Sequence, residues 1–276
     1  MSRNGVRGDP DPSPAGPPVR LPPCIVVFHP RRDARRALKT GYPRGAGQVL
    51  LCRSVEAVER LLYQRLVDAV VLDAKAAPPA ALTLPRRFPR IPVYALSACR
   101  PDDGPVMAEW RAAGFAGVFV EGVDNAVLGE SVAARSAQAV RRAALAEAPR
   151  LLRLTDRLQL GAWEEVLRRV SRPLRTVEVA QALRVTREHL SREFAAGGAP
   201  NLKRVIDLAR TACAADLLAN PGYSVRAVVR ILGYASASHL SAASRRVAGA
   251  TAVELRDLGP RGVLGRFVRG RTRSRI

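Results

Sequence analysis

From Cys24 onward the chain alternates short apolar runs with segments of helical period: CIVVF precedes RRDARRALK, QVLLC precedes VEAVERLLYQRLV, and AVVLD leads into a Pro-rich break. IPVYALS, the helix-like MAEWRAAG, GVFV and a long Ala/Arg stretch from about Asn125 to Ala148 complete the first half. Short aliphatic runs between amphipathic segments are what a parallel sheet covered on both faces requires, since neither face of such a strand meets water. The pattern predicts an α/β domain with a five-stranded parallel sheet over residues 23–145. Residues 1–22 hold Pro, Gly, Arg and Asp without an apolar run and are expected to be a disordered tail.

The second half has no strand pattern. LLRLTDRLQL is amphipathic and predicts a helical linker over 146–160, whose two turns are too few to separate a linker from a dimer seam. An all-α domain over 161–258 follows. A helix from Ala162 to Val170 ends before Pro173, and a short helix from Val177 to Leu183 meets a tight turn and a second helix from Thr186. Val179, Ala180, Leu183, Val185, Leu190 and Phe194 fall on the faces two crossed helices bury, and the Thr186 hydroxyl can cap the second. Glu188, Ser191 and Arg192 lie one turn apart on the opposite face, free to meet a groove. A long helix from Asn201 to Leu218 leads to the break at NPGYS, where Ser224 caps again. The layout then repeats: Val228, Val229 and Leu232 point inward, Gly233 makes the turn and a second recognition helix starts near Ser236. Residues 259–276 carry six Arg among Gly and read as a basic tail, either a flexible arm along phosphates or plain disorder.

Charge sharpens this picture. Lys and Arg number 45 against 24 Asp and Glu, a formal +21, of the sign that attracts polyanions. Up to residue 140 there are 19 basic and 13 acidic residues (+6); beyond it, 26 and 11 (+15), so the polyanion surface belongs to the second half. The basic residues are mostly Arg in an Ala- and Pro-rich chain, a bias that composition alone produces in part.

Cys24, Cys52, Cys99 and Cys213 form no close Cys/His pairing, and His29 and His189 lack the neighbours of a ligand set, so no metal or cofactor is expected. There is no Gly-rich phosphate loop, G-x-S-x-G elbow or carboxylate pair at useful spacing, which argues against an enzyme. Nothing approaches the roughly 20 apolar residues of a membrane span, and the N-terminus has no signal-peptide pattern. A cytoplasmic location, away from membranes, is expected.

The first domain resembles a response-regulator receiver over roughly residues 22–140. Asp73 closes the third strand where a receiver keeps its phosphoacceptor, and Ser97 closes the fourth where a receiver has Ser or Thr. The resemblance departs elsewhere: Phe28, His29 and Pro30 replace the acidic pair that holds magnesium, and Glu121-Gly122 replace the Lys-Pro after strand five. Phosphoryl transfer needs cations to offset charge on the phosphoryl oxygens. The resemblance therefore implies a degenerate receiver in which Asp73 is a doubtful phosphoacceptor, used for packing, dimerisation or regulation.

The second domain resembles the DNA-binding domain of the AraC/XylS family. Thr186, Arg187, Leu190, Ser191, Arg192 and Phe194 match the end of its first unit, and Gly233-Tyr234, Ser236, His239-Leu240, Arg245-Arg246 and Gly249 match its second. Arg210 matches the Arg on its connecting helix. The departures are Arg184 where Gly is usual at the first turn, Ser244 and Ala248 at aromatic core positions, and Ala252 at a Pro; they imply a looser second unit. Carried over by position, base reading falls on Glu188, Ser191 and Arg192, then on Ala237, Ser238, Ser241 and Ala242. Arg187, Arg245, Arg246 and His239 are the candidates for the remaining DNA contacts. Arg192 can donate to guanine and Glu188 accept from cytosine, so the first unit should dominate. The expected function is sequence-specific transcription regulation on double-stranded DNA; a homodimer and RNA polymerase are further candidate partners. The alternative is a non-specific basic nucleoid or RNA-binding protein.

Overall fold

The computed structural model describes residues 23–41, 48–196 and 198–273. The tail expected over 1–22 lies outside them. Five strands, β1 (Cys24–Phe28), β2 (Gln48–Cys52), β3 (Ala69–Leu72), β4 (Val93–Ser97) and β5 (Gly117–Val120), form one parallel sheet in the order β2-β1-β3-β4-β5. β3 and β4 are buried at every position, as a sheet clad on both faces demands. The cladding consists of α1 (Arg32–Gly41), α2 (Val55–Gln64), α3 (Leu84–Arg87), α4 (Gly104–Ala112) and α5 (Asn125–Ala134). This strand order reverses between β1 and β3, which sets the carboxyl ends of those two strands at the switch point of the sheet.

The Ala/Arg stretch is two helices. α5 ends before Ser136, whose Oγ accepts the Ala139 N–H at 3.2 Å and starts α6 (Ala137–Ala144). The linker is likewise broken: α7 (Ala148–Leu151) stops at a turn through Arg153, with φ 57, and α8 (Arg157–Arg168) begins at an Asp156–Gln159 capping box. Leu152 and Leu154 are buried in the chain's own core, while Leu160 stays exposed.

The remaining helices are α9 (Thr176–Ala182), α10 (Arg187–Ala196), α11 (Leu202–Leu218), α12 (Val225–Leu232), α13 (Ala237–Ala248) and α14 (Ala252–Arg273). As far as Arg273, α14 corrects the reading of the stretch from Gly259 as a flexible basic arm or plain disorder. Gly259, at φ 59, kinks the chain; Pro260 resumes the helix at a position where no N–H is needed; and Val263, Leu264 and Phe267 are buried, α14 packing on α11. The Arg204 guanidinium lies 5.0 Å from the Phe267 ring centroid.

Ser244 is fully buried and its Oγ donates to the Leu240 carbonyl at 2.9 Å. α11 and α14 pack against α13, so that Ser244 and Ala248 are both buried. The first turn does carry strain: Arg184 adopts φ 58, close to the φ 63 of Gly233 at the second turn. Exposed Arg184 pays a left-handed penalty that glycine escapes, so Arg184→Gly should stabilise the chain by about 1 kcal/mol. A melting temperature that stays level or falls in the variant would refute this.

The two halves share one hydrophobic core. The Asn220–Tyr223 break between α11 and α12 is held by the first domain: Gly222 N–H donates to the Arg87 carbonyl at 2.8 Å, Tyr223 Oη to the Leu62 carbonyl at 2.9 Å, Tyr63 Oη to the Gly222 carbonyl at 3.1 Å, and Arg90 N–H to Asn220 Oδ1 at 2.8 Å. Phe88 packs among the rings of Tyr63 and Tyr223, so close to Gly222 that a Cβ there would stand 2.6 Å from its ring. Beside this contact Arg141 of α6 bonds Asp68 of the first domain and Asp216 of α11.

Candidate nucleic-acid interface

Local chemistry starts each helix of the two helical pairs. Glu178 accepts the Arg175 N–H at 2.7 Å ahead of α9, and this bond holds its carboxyl below the usual carboxylate range. Thr186 Oγ1 accepts the His189 N–H at 3.1 Å and starts α10; Asn201 Oδ1, Ser224 Oγ and Ser236 Oγ do the same for α11, α12 and α13 at 3.0, 3.2 and 3.0 Å. Leu190 and Phe194 of α10, and Leu240, Ala243 and Val247 of α13, are buried as their spacing requires. The opposite faces are therefore presented outward. Arg187, Glu188, Ser191 and Arg192 are exposed on α10, and Ala237, Ser238, His239, Ala242, Arg245 and Arg246 on α13, with Ser241 half-buried.

The sequence-expected residues are not equivalent. Among the described residues, Arg187, Arg192 and Arg245 form no ion pair with a carboxylate. Arg246 pairs with Asp207 of α11 at 3.0 Å, and His239 sets its ring edge-on to Tyr234, with 5.5 Å between centroids. His189 is half-buried, 3.9 Å from Glu193. Two cations outside the sequence-expected set join this side: a hollow of about 350 Å³ between α9 and α11 is lined by Arg175, Arg187 and Lys203, of which Arg175 pairs with Glu178 at 3.5 Å. They are far apart in sequence, and only the crossing of α9, α10 and α11 brings them together.

Arg210 sets the relation of the two pairs. It is 7% exposed, and its guanidinium bonds the carbonyl of Arg172 ahead of α9 and, at 2.7 Å, that of Leu232 at the end of α12. The same group lies 4.6 Å from the Tyr234 ring centroid. One side chain of the connecting helix thus touches both pairs.

At the carboxyl edge of the sheet, Asp73 meets Ser97, as the receiver resemblance implies, and also His29, which that resemblance did not supply. Ser97 Oγ donates to Asp73 Oδ1 at 2.7 Å. His29 is completely buried; its Nδ1 accepts the Arg31 N–H at 3.2 Å, leaving Nε2 between Asp73 Oδ2 and Glu121 Oε2, 3.5 Å from each. Arg31 closes the cluster by pairing with Glu121, and Lys75 is turned away to Asp103. Imidazole and guanidinium groups supplied by the chain surround these carboxylates.

An α/β domain is here joined to a helical half that carries a helix-turn-helix domain, which places the chain among DNA-binding regulators. Residues 179–257 match the family model described as "Helix-turn-helix domain", of the AraC type, the domain of DNA-binding transcription regulators. No curated protein matches the chain. Among solved structures it is similar to a response regulator from Thermotoga maritima, at 20% identity over 41% of this chain and 95% of that one, with a TM-score of 0.36. Full-length FixJ from B. japonicum matches at 13% identity over 81% of this chain and 96% of that one, with a TM-score of 0.37. No described helix is long and apolar enough to cross a membrane.

Proposed function

We propose that the chain regulates transcription by sequence-specific binding to the major groove through both helical pairs, the first carrying most of the base reading. The observation that supports this most is the contrast between the two outward faces. α10 offers Arg192, Glu188 and Ser191, able to donate to guanine and accept from cytosine, whereas α13 offers Ala237, Ser238, Ser241 and Ala242 before its cations begin at Arg245. Arg245 and the Arg175–Arg187–Lys203 hollow then take phosphates, with Arg246 drawn partly to Asp207.

Arg192→Ala should cost about 1–3 kcal/mol on the preferred duplex and little on random DNA. Arg245→Ala should weaken both duplexes alike and reduce the salt slope by about one. Titrations of both variants against both duplexes across a salt series test this. Equal weakening by Arg192→Ala, together with a wild type that prefers no duplex, would favour the non-specific nucleoid or RNA-binding alternative, which the plain face of α13 suggests.

The first domain acts in this reading as a regulatory or dimerising module that needs no phosphorylation. His29 stands 3.5 Å from Asp73, and Glu121, at the same distance on the other side of the imidazole, adds a negative charge near any phosphoryl group placed there. Incubation with a small phosphodonor and Mg²⁺ should leave the protein unmodified by intact-mass measurement. Stable labelling that disappears in Asp73→Asn would overturn this part.

A further inference from the structure

At the opposite, amino edge of the sheet a cavity of about 620 Å³ opens where the two halves meet. Its volume lies within the range of small-molecule sites, roughly 300–1,000 Å³, and such sites favour domain interfaces. Leu145, Leu167, Val170 and Ile231 give it apolar walls, and Arg65, Arg141, Arg142 and Arg168 give it cations. Three of those cations are matched: Arg141 by Asp68 and Asp216, Arg142 by Glu164 at 2.6 Å, and Arg168 by Glu165. Arg65 pairs with no carboxylate among the described residues and is exposed at the end of α2. One unmatched cation beside an apolar chamber is complementary to one negative charge on an apolar body.

We propose that this cavity binds a small organic monoanion, an aromatic or medium-chain carboxylate, with its carboxylate on Arg65 and its body against Leu145, Leu167, Val170 and Ile231. The occupant is held reversibly. The two thiols in the wall, Cys24 and Cys213, are pushed up to about 12 by burial and stay protonated, so they offer no nucleophile. The walls come from α2 and α6 on one side and from α8, α11 and α12 on the other, so a bound molecule touches the sheet domain and both helical pairs' supports at once. This inference concerns small-molecule binding to the whole chain and stands or falls independently of base reading.

The test is calorimetric titration of the full-length protein with benzoate and octanoate, with octylammonium as the same body carrying the opposite charge and inorganic phosphate as an anion without a body. One or both carboxylates should saturate at a single site, and the two controls should not. Arg65→Glu should weaken that binding by about tenfold or more, as expected for loss of a charge-assisted hydrogen bond. Arg65→Lys should retain most of it. The same charge reversal at Arg111, exposed on α4 and outside the cavity, should change nothing. Circular dichroism of the free variants verifies that they fold. The proposal fails if neither carboxylate saturates, if phosphate binds as well as they do, or if Arg65→Glu and Arg111→Glu behave alike.

Discussion

Arg141→Met should destabilise the full-length chain by about 3–5 kcal/mol, the cost of leaving buried carboxylates without their partner. The guanidinium is buried between Asp68, which also accepts the Cys24 N–H at 2.8 Å, and Asp216 on α11, at 3.2 Å. Met fills much of the same space, so volume is not the main loss. Burial already raises the Asp216 carboxyl above its ordinary range even with Arg141 beside it. A raised carboxyl binds its proton more tightly in the folded state. Its contribution is thus fully present below the unfolded value near 3.9 and is lost as pH rises through the folded value. Removing the cation raises the carboxyl further, so the variant should regain part of its deficit on acidification toward the carboxylate range. Urea unfolding of wild type and variant at neutral and mildly acidic pH measures both effects. A loss under about 1 kcal/mol at neutral pH would place the triad with weak, hydrated surface pairs.

Arg210→Met should cost about 2–4 kcal/mol by removing charge-assisted bonds to two carbonyls, one of them on buried Leu232. Loss of the contact with Tyr234 adds to it. Arg210→Lys should rescue little, because a single ammonium lacks the planar fork that reaches both carbonyls. The variant should also bind its preferred DNA more weakly than its folded fraction explains, since the two helical pairs lose a shared anchor. Denaturant unfolding paired with duplex titration tests this. A variant of wild-type stability, or one in which lysine restores it fully, would show that α11 packing alone sets the arrangement.

The parts that were legible in the sequence share a short range. A cap is decided within four residues, so Thr186, Asn201, Ser224 and Ser236 could be read as helix starts before any contact was known. The five strands were legible because runs such as VVF and AVVL satisfy a doubly covered sheet on their own. Strand-like and helical periods also told the sheet-bearing half from the helical half, and the residues on the exposed faces of α10 and α13 followed from which neighbours had to be buried.

Tertiary structure alone decided the rest, because the deciding partners are distant in sequence. Pro260 and the surrounding Gly residues have low helical preference, yet α14 forms because α11 gives Val263, Leu264 and Phe267 an apolar surface to cover. His29, Asp73 and Glu121 lie on three separate strand ends and meet only where the sheet order reverses. The fate of each polar group was likewise a matter of who stands opposite: Arg246 finds Asp207, Arg141 finds two buried carboxylates, and Arg65 finds none among the described residues. Local periodicity determined what elements the chain builds and which faces they bury. Long-range burial decided which charges are matched, since a buried charge must find a partner wherever the fold supplies one.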